Sequence, residues 1–422
     1  MPKIIVAHPD KQHSFRLATA IKRKGLLFKY ITTVYDKPSS LTRKVIGVLS
    51  GRDKKKAESH SCPELSDEDV VQFHEGLNLL VLLLNRIPFM HKWARVLKSK
   101  LVTSFGRKVA KYAIKCGADA VVMYDGTGLS CFKYLKEHQP SIIRILDTST
   151  VSHDFMIDTF NRMIDLLGDA TIKSEYPYLW EEGARERYNA EIALCDFFLA
   201  PSAIVKQSLL YKKKVLNDSI YNVPYGVDIE KFNIQESRKS NHPRKLLFVG
   251  QVTCRKGIHL LLKTLDSFNE NEVELYVAGG LDKSSSWYSK YCDKKNVHFL
   301  GFVTRDVIAN LYASVDAFIL PSYAEGLALV GLEAMASGLP IICSQYSGVN
   351  DLVQNGINGF VVDVFDEEDL KKVINSIINT DDDSIIKMGR EARNTAMLYS
   401  WTRYNEVALS AIESMLSRRV NK

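Results

Sequence analysis

Residues 321–340 of this 422-residue chain read PSYAEGLALVGLEAMASGLP, the most informative part of the sequence for predicting the fold. It follows Ala317–Leu320, an apolar run with the length of a buried strand, and it carries Glu325 in a short loop. The next residues, Leu327–Ser337, have the length and composition of a helix, which a Gly-Leu-Pro sequence ends. The stretch therefore predicts a strand, a loop and a helix, the unit from which parallel sheets covered by helices are built.

Two carboxylates and a helix N-terminus come together in this unit. Glu325 and Glu333 are about two helical turns apart, so both can face one ligand. Backbone N–H groups at a helix N-terminus lack helical partners and can bind phosphate. The residues expected to provide this backbone are Gly326, Leu327, Ala328 and Leu329. A sugar nucleotide carries a diphosphate and hydroxyl groups, and glutamates accept hydrogen bonds from sugar and ribose hydroxyls. On spacing alone, two solvated glutamates on a helix face remain an alternative.

Three consecutive segments resemble one protein family. Residues 325–333 (EGLALVGLE), 334–340 (AMASGLP) and 348–362 (GVNDLVQNGINGFVV) resemble the corresponding region of retaining glycosyltransferases of family 4. The resemblance implies an α/β protein with the GT-B fold, in which two doubly wound Rossmann-like domains face a central cleft. It also implies transfer of a sugar from a nucleotide-sugar donor to a hydroxyl acceptor, with the anomeric configuration retained.

A polar segment at residues 235–244 (QESRKSNHPR) is the best candidate linker, and strand and helix patterns restart at Lys245. We predict an acceptor-binding domain over residues 1–235 and a nucleotide-sugar-binding domain over residues 245–400. A C-terminal helix over residues 401–422 is expected to cross back onto the first domain. The first predicted strand of each half is Lys3–Ala7 and Lys245–Gly250. The further predicted strands are Leu27–Thr33, Leu79–Leu84, Ala120–Tyr124 and Ile142–Leu146 in the first half, and Val273–Ala278, Val297–Leu300, Ala317–Leu320, Ile341–Ser344 and Phe360–Val362 in the second.

A second group of candidate donor-binding residues lies in the loop GQVTCRKG, which follows the first strand of the second half. Arg255 and Lys256 can neutralise a diphosphate as the glycosidic bond breaks, although a solvated Arg-Lys pair explains the spacing equally well. Gly250 and Gln251 open this loop; relatives commonly have Arg where Gln251 stands, and Arg255 is expected to supply that charge. Phe302 follows a strand where relatives bind the nucleotide base, although it suits a core aromatic as well.

Candidate acceptor-side residues lie after strands of the first half. His8, Gln12 and His13 follow the first strand, and ligands in such sheets lie beyond the carboxyl ends of the strands. Asp147 ends a later strand where relatives often have His, and His153 follows it; both are candidates to line the acceptor side. The alternatives are imidazoles satisfied by the loop backbone and an Asp147 that caps the next segment.

The net charge of +7 is concentrated at the N-terminal end, because residues 1–120 alone carry +13. Within them, His91–Lys115 places Trp93, Val96 and other apolar residues near helical spacing between lysines and arginines. This pattern indicates a helix that lies on an anionic membrane surface or, alternatively, a core-facing helix with a basic outer face. The chain has no recognisable nucleic-acid module, so nucleic acid is not an expected partner.

The seven cysteines form no CxxC pair, no apolar run is long enough to span a bilayer, and no signal sequence is recognisable. We expect a cytoplasmic protein that is attached at most peripherally to the inner face of the membrane. No cofactor or metal is expected, and a UDP-sugar is expected in preference to a GDP-sugar. The expected acceptor is a saccharide or a lipid-linked sugar of bacterial surface polysaccharide (lipopolysaccharide, capsule) or glycolipid biosynthesis. The alternatives are a soluble disaccharide synthase or phosphorylase, or a nucleotide-sugar-binding protein without catalysis.

Overall fold

A computed structural model describes residues 1–10, 13–213, 215–232 and 243–420. Within them the chain forms two parallel β-sheets, each covered by helices on both faces. The central strands are continuous buried runs, as in Ile4–Ala7 and Ala317–Leu320, where no residue is exposed. A doubly covered parallel sheet buries both faces of each strand, and this explains why these strands read as unbroken apolar runs and not as alternating patterns.

The first sheet lies in the first half of the chain, and its strand order is β3-β2-β1-β4-β5-β6-β7. Its strands are β1 (Ile4–Ala7), β2 (Leu27–Thr32), β3 (Val70–Gln72), β4 (Ala120–Tyr124), β5 (Ile143–Asp147), β6 (Phe197–Ala200) and β7 (Ile220–Asn222). Its helices are α1 (Ser14–Arg23), α2 (Leu41–Val48), α3 (Gly51–Glu58), α4 (Glu75–Leu84), α5 (His91–Cys116), α6 (Leu129–His138), α7 (His153–Leu167), α8 (Thr171–Glu175), α9 (Ala184–Ala193) and α10 (Ala203–Leu210). The strand order reverses between β1 and β4, so the strand ends there face one crevice.

The second sheet has the order β10-β9-β8-β11-β12-β13. Its strands are β8 (Arg244–Val249), β9 (Val273–Ala278), β10 (Val297–Gly301), β11 (Ala317–Leu320), β12 (Ile341–Ser344) and β13 (Gly359–Val362). The remaining helices are α11 (Ile258–Leu265), α12 (Ser286–Tyr291), α13 (Arg305–Ser314), α14 (Leu329–Ala336), α15 (Glu367–Asn379), α16 (Asp382–Met397) and α17 (Trp401–Val420). Its order reverses between β8 and β11, the two strands that lead into the GQVTCRKG loop and the Glu325 loop.

One predicted strand is wrong. Residues Leu79–Leu84 lie in α4, and the strand at that position of the sheet is the shorter β3. Leucine favours helices, and a short apolar run does not distinguish a strand from a helix by its pattern. The side chain of Asn78 supports the helical position, because its amide donates to Thr33 Oγ1 at 2.5 Å and to the backbone oxygen of Pro9 at 3.3 Å.

The last helix, α17, packs against α1 of the first sheet. Arg16 of α1 lies over the Trp401 ring, 4.6 Å from its centroid, and Tyr221 of β7 lies 3.0 Å from Ser414 Oγ through its hydroxyl. The chain also crosses near Gly226, where an added Cβ would lie 2.4 Å from the Trp401 backbone nitrogen. Part of the predicted linker, residues 235–242, lies outside the described residues. Among the described residues, no helix is both long enough and apolar enough to cross a membrane.

Candidate functional site

The Glu325 loop differs from the prediction at the helix N-terminus. The helix α14 begins at Leu329, two residues later than predicted, and Ala328 precedes it. The Ala328 N–H donates to the backbone oxygen of Ser347 at 3.2 Å, so it is not available to a phosphate. Neither the N–H of Gly326 nor that of Leu327 donates to a backbone oxygen of the described residues. Fewer backbone N–H groups are therefore available to bind an anion than the sequence predicts.

Glu325 pairs with both basic residues of the GQVTCRKG loop. Its Oε1 accepts a hydrogen bond from Arg255 Nη1 at 2.8 Å and lies 2.7 Å from Lys256 Nζ. Glu325 and Lys256 are each 8% exposed. Both cations contact Oε1, and within the part of the chain that the structure describes Oε2 has no hydrogen-bond donor. The predicted carboxylate and the predicted cations thus form one buried cluster, which we call the donor cluster.

Burial and mutual charge set the protonation of the donor cluster. Burial would raise the pKa of Glu325, but Arg255 and Lys256 outweigh it and hold that pKa below its usual value. Burial lowers the pKa of Lys256, against the attraction of Glu325. Burial also opposes the charge of Arg255, yet Glu325 and Tyr176 keep its pKa raised. Glu325 is therefore held as a carboxylate by two adjacent cations.

Glycines shape the GQVTCRKG loop around these side chains. Gly257 has a φ of 75°, and a Cβ there would lie 1.9 Å from the Pro321 backbone oxygen. Only glycine allows this close approach, which brings the loop against the end of β11. At Gly250, a Cβ would lie 3.8 Å from Lys256 Nζ, so the lysine amine lies directly over this residue.

The other predicted donor residues form no hydrogen bond or ion pair with the donor cluster among the described residues. Gln251 is exposed, and Phe302 is 63% exposed, so Phe302 is not a core aromatic. Glu333 is half-buried on α14 beside the Tyr312 hydroxyl, with which it shares a side-chain hydrogen bond. Glu325 and Glu333 therefore occupy different surroundings, one in a buried ion cluster and one at a partly open position.

The Glu325 loop lies directly against the first sheet's loops. A Cβ at Gly326 would lie 1.9 Å from the backbone oxygen of Ser149, which follows β5. Ser202 Oγ donates to the Gly326 backbone oxygen at 2.5 Å, and the N–H of Ala203 donates to Asp351 Oδ2 at 2.6 Å. We call this contact the seam. It places the donor cluster close to the carboxyl ends of the first sheet's strands.

A second contact across the seam involves residues that the sequence analysis did not select. The Cys254 N–H lies 2.9 Å from both carboxylate oxygens of Glu175. Arg255 Nε donates to the Tyr176 hydroxyl at 2.7 Å. Arg255 therefore joins Glu325 in the second half to Tyr176 in the first. No sequence pattern could have found Glu175 or Tyr176, because their partners lie about eighty residues away in the chain.

The acceptor-side candidates His13 and Asp147 meet. His13 Nε2 lies 3.1 Å from Asp147 Oδ2, and its ring packs on Tyr225, 4.5 Å between centroids. His8 is buried with its Nδ1 against the Asp10 backbone, and burial lowers its pKa to about 4. This corresponds to the alternative in which the imidazole is satisfied by the loop. Gln12 lies outside the described residues.

His153 begins α7 and does not contact Asp147. Its ring stacks on Tyr188 at 4.0 Å, and burial lowers its pKa to about 4. The sequence analysis missed Asp125, which follows β4 and accepts a hydrogen bond from Ser149 Oγ at 2.8 Å. Burial, reinforced by the charge of Asp147, raises the Asp125 pKa to about 6. The signal for Asp125 was its position directly after a buried strand in a YDGTG sequence.

A cavity of about 1350 Å³ opens beside Asp125 and His153 and extends between α5, α6 and α9. At its inner end Glu191 accepts hydrogen bonds from the N–H groups of Gly126, Gly128 and Leu129, at 2.8, 2.5 and 3.0 Å. Burial raises the pKa of Glu191 to about 7. Through Ser149, this cavity adjoins the seam. Among the described residues, no group of three or more His, Cys, Asp or Glu side chains is placed to hold a metal ion.

The arrangement can hold a polyanion against the donor cluster and a hydroxyl-bearing molecule against Asp125. The structure brings together the predicted Arg255, Lys256 and Glu325, and separately His13 and Asp147. It does not bring His8 or His153 to the donor cluster.

Comparison with known protein families gives a match over residues 229–395, to the family described as glycosyl transferases group 1. Two characterised relatives are similar to about half of the chain. Sulfoquinovosyl transferase SQD2 of Arabidopsis thaliana is 29% identical over 218 residues, 49% of this chain and 42% of the relative. The UDP-Gal:alpha-D-GlcNAc-diphosphoundecaprenol alpha-1,3-galactosyltransferase of Escherichia coli is 30% identical over 191 residues, 41% of this chain and 48% of the relative. The chain thus spans less than half the length of either relative.

Among solved structures, Anabaena Alr3699/HepE in complex with UDP-glucose matches 98% of this chain and 100% of its own, with a TM-score of 0.61 and 16% sequence identity. At that identity the likeness concerns the fold alone, which is the predicted GT-B fold of two Rossmann-like domains.

Proposed function

We propose that this protein moves a sugar from a nucleotide-sugar donor to a hydroxyl acceptor with retention of configuration. The match of residues 229–395 to the glycosyl transferases group 1 family and the GT-B fold of the chain support this proposal. The observation that carries the proposal is the donor cluster at the seam: one buried carboxylate and two cations face the loops after β4 and β5.

On the donor side, Lys256 and Arg255 bind the diphosphate and stabilise the negative charge that develops as it leaves. Glu325 holds both cations through Oε1 and keeps Oε2 for a hydroxyl of the transferred sugar. Glu333, half-buried on α14, accepts from the ribose. In this proposal the two side-chain cations supply the positive charge, and the nucleotide sugar is a co-substrate with no further cofactor.

In the proposed reaction, the bond between the anomeric carbon and the phosphate oxygen breaks, and a bond from that carbon to the acceptor oxygen forms on the same face of the sugar. The acceptor proton passes to the departing phosphate oxygen, so charge balances without a protein nucleophile. Asp125, with its raised pKa, and the His13–Asp147 pair are placed to orient the acceptor hydroxyl.

UDP is the proposed nucleotide. Two observations support it: the E. coli relative's name specifies UDP-Gal, and the HepE structure contains UDP-glucose. Both belong to those proteins, and the preference for UDP over GDP in this chain is part of the proposal.

An exposed apolar patch favours a lipid-linked acceptor at a membrane surface. Leu83 (56% exposed), Phe89 (82%), Trp93 (66%) and Val96 (47%) lie at the end of α4 and the start of α5. Helix α5 also buries Ala94, Leu101 and Phe105, so one side of it faces the core along its length while Trp93 and Val96 are exposed. Apolar side chains beside lysines are suited to the interface of an anionic bilayer. We therefore propose peripheral binding to the inner membrane face, in bacterial surface polysaccharide or glycolipid synthesis.

A vesicle experiment tests this part of the proposal. The double variant Phe89→Ser/Trp93→Ser should sediment with anionic phosphatidylglycerol vesicles much less than the wild-type protein. The matched control is Leu216→Ser, which removes another exposed apolar residue (79% exposed) far along the chain. Equal sedimentation of all three proteins would contradict membrane binding through this patch.

Two other functions of the same fold predict different behaviour. A soluble disaccharide synthase or phosphorylase would act on an unattached sugar and would be indifferent to vesicles. A nucleotide-sugar-binding protein without catalysis would bind the donor and never release free nucleotide from it. The buried donor cluster favours catalysis, because two cations kept beside a carboxylate are costly unless they stabilise charge.

The deciding experiment is calorimetric titration of the protein with UDP and GDP. We expect micromolar binding of UDP that Glu333→Gln weakens about tenfold, because a hydrogen bond to a charged group is lost. Glu368→Gln, an exposed glutamate on α15, is the matched control and should bind as the wild type does. A folded protein that binds neither nucleotide would contradict the proposed function.

A further inference from the structure

The cavity beside Asp125 is large enough for more than an acceptor hydroxyl. Its volume of about 1350 Å³ exceeds the roughly 300–1,000 Å³ of common small-molecule pockets. It lies entirely within the first half of the chain and runs from Ser149 and Thr150 at the seam to Tyr134 and His138 on α6. A ligand that starts at the seam therefore has room to continue along α5 and α6.

Close packing of two helices forms the floor of this cavity. A Cβ at Gly106 of α5 would lie 2.3 Å from Ser130 Oγ and 3.0 Å from the Cys131 backbone nitrogen. The two helices can approach this closely only because residue 106 has no side chain. Next to this contact, Arg107 on α5 and Lys133 on α6 both line the cavity and are both exposed.

The cavity wall is rich in positive charge. It includes six lysines and arginines: Arg95, Lys98, Arg107, Lys111, Lys133 and Arg187. Four of them have contacts, since Arg95 lies 3.5 Å from Glu181, Lys98 lies 2.5 Å from Asp10, Lys111 lies over the Tyr134 ring, and Arg187 donates to the backbone oxygen of Glu182 at 3.1 Å. Within the described residues, Arg107 and Lys133 form no ion pair. Exposed cations that form no ion pair attract anionic ligands.

Four carboxylates share the wall, and three are already engaged. Glu181 pairs with Arg95, Glu191 accepts three backbone N–H groups, and Asp125 accepts from Ser149. The fourth, Glu137, is exposed on α6 one turn after Lys133. These carboxylates therefore leave Arg107 and Lys133 available to an anion.

Three buried polar atoms in the wall point to a polar ligand independently of charge. Ser130 Oγ, His153 Nδ1 and the Tyr188 hydroxyl are buried, and none has a hydrogen-bond partner within the described residues. Buried polar groups of folded proteins are almost always hydrogen-bonded, so three such atoms around one cavity indicate a ligand with donors and acceptors.

We propose that this cavity, which we call the basic groove, binds the phosphate or diphosphate group of a phosphorylated acceptor. Arg107 and Lys133 hold its charge, and the sugar hydroxyl to be glycosylated lies at the seam beside Asp125. The inference rests on the proposed function, and it names the substrate class: an acceptor that is a sugar phosphate or a lipid-linked sugar diphosphate. Both sources present the same anion, so the groove alone does not separate them.

The test measures binding of inorganic pyrophosphate by calorimetry in saturating UDP, which occupies the donor side. The groove variant Arg107→Glu/Lys133→Glu should bind pyrophosphate at least about tenfold more weakly than the wild type, because charged hydrogen bonds become repulsions. The matched control is Lys108→Glu/Lys136→Glu, which changes the net charge equally, from neighbouring positions on the same helices that do not line the groove. A neutral version, Arg107→Gln/Lys133→Gln, replaces the groove variant if that variant does not fold.

Equal pyrophosphate affinity in the groove and control variants would overturn the proposal, as would no pyrophosphate binding by the wild type. UDP affinity is measured in every variant, and it should not change. A wild-type protein that does not bind UDP would contradict the proposed function instead. The pyrophosphate affinities of the groove and control variants can still be compared in that case. Two further arms separate the sources: glucose 1-phosphate in solution, and phosphatidylcholine vesicles containing farnesyl diphosphate. The groove variant should lose affinity for whichever of these two ligands the wild type binds.

Discussion

The two halves of this molecule reveal their functional residues in different ways. In the second half, Arg255, Lys256 and Glu325 lie in two loops of neighbouring strands, and each loop has a readable sequence pattern. In the first half, the groups around the acceptor side come from segments far apart, such as His13 and Asp147. A nucleotide diphosphate presents the same chemistry wherever it is bound, whereas an acceptor can be almost any hydroxyl compound. Local motifs therefore indicate the proposed donor side, and only the fold indicates the proposed acceptor side.

The two halves also differ in the surroundings of their positively charged side chains. In the donor cluster Lys256 is buried, Arg255 is half-buried, and both are paired, while Arg107 and Lys133 are exposed and have no carboxylate partner in the described part of the chain. Buried, paired cations are fixed in position and stabilise charge during a reaction, whereas exposed cations attract ligands. This difference between paired and unpaired cations, and the contact between the two halves, can be tested by substitution.

Substitution of Lys256 should affect catalysis most. Lys256→Met removes one of the two cations that face the leaving diphosphate, and we expect turnover to fall about 10²- to 10³-fold. Glu325 keeps its bond to Arg255, so the protein should remain folded. The control is Lys263→Met, which removes an exposed lysine paired with Glu367 at 2.6 Å. If release of UDP from a UDP-sugar in the presence of acceptor is equally fast in both variants, the role of the donor cluster is disproved.

Gly326 tests the seam between the halves. Gly326→Ala places a methyl group 1.9 Å from the Ser149 backbone oxygen, and a backbone atom cannot turn aside as a side chain can. We expect the free energy of unfolding to fall by about 1–3 kcal/mol, the usual cost of overpacking, and sugar transfer to fall with it. Gly280→Ala is the matched control, because a Cβ there has no neighbour within 4 Å in the described structure. Equal denaturant midpoints for the two variants would show that the halves are not in contact at Gly326.

Much of the fold could be predicted from the sequence, since the strands of a covered parallel sheet are continuous apolar runs that end at turn residues. The failure at Leu79–Leu84 arose because a leucine-rich run suits a helix as well as a strand. In the site, the cations and Glu325 could be predicted because each lies in the loop between a strand and the helix that follows it. Tyr176 and Ser149 could not, because their functions depend on contacts across the seam between distant segments.

The buried histidines make stability depend on pH, and His259 tests this in the second half. Burial lowers its pKa to about 4, against the weak attraction of Asp169, and neither ring nitrogen has a hydrogen-bond partner among the described residues. The unfolded chain takes up a proton near pH 6.5 that the folded chain rejects, so stability is present above that pH and is lost as the pH falls towards 4.

His259→Gln removes this titration. Between pH 7 and pH 5 the wild type should therefore lose about 2 kcal/mol more of its free energy of unfolding than the variant does. The raised pKa values of Glu191 and Asp125 act in the opposite direction, but they are present in both proteins and cancel in the comparison. His91→Gln, at an exposed histidine, is the control. Its free energy of unfolding in urea should change with pH as that of the wild type does. If the free energy of unfolding changes with pH equally in all three proteins, the pKa of His259 is not lowered in the folded protein.

Tyr176 should give the smallest effect, and it distinguishes closure of the two halves from donor binding. Tyr176→Phe removes the hydrogen bond from Arg255 Nε but keeps an aromatic ring beside the guanidinium. A single such bond contributes about 0.5–1.5 kcal/mol, so turnover should fall roughly two- to tenfold. UDP affinity should not change, because Arg255 Nη1 still bonds Glu325 within the second half. Tyr221→Phe loses a comparable bond, to Ser414 on α17, and should leave turnover unchanged. If Tyr176→Phe weakens UDP binding and not turnover, the contact across the seam belongs to the donor side, and the division between the halves must be redrawn.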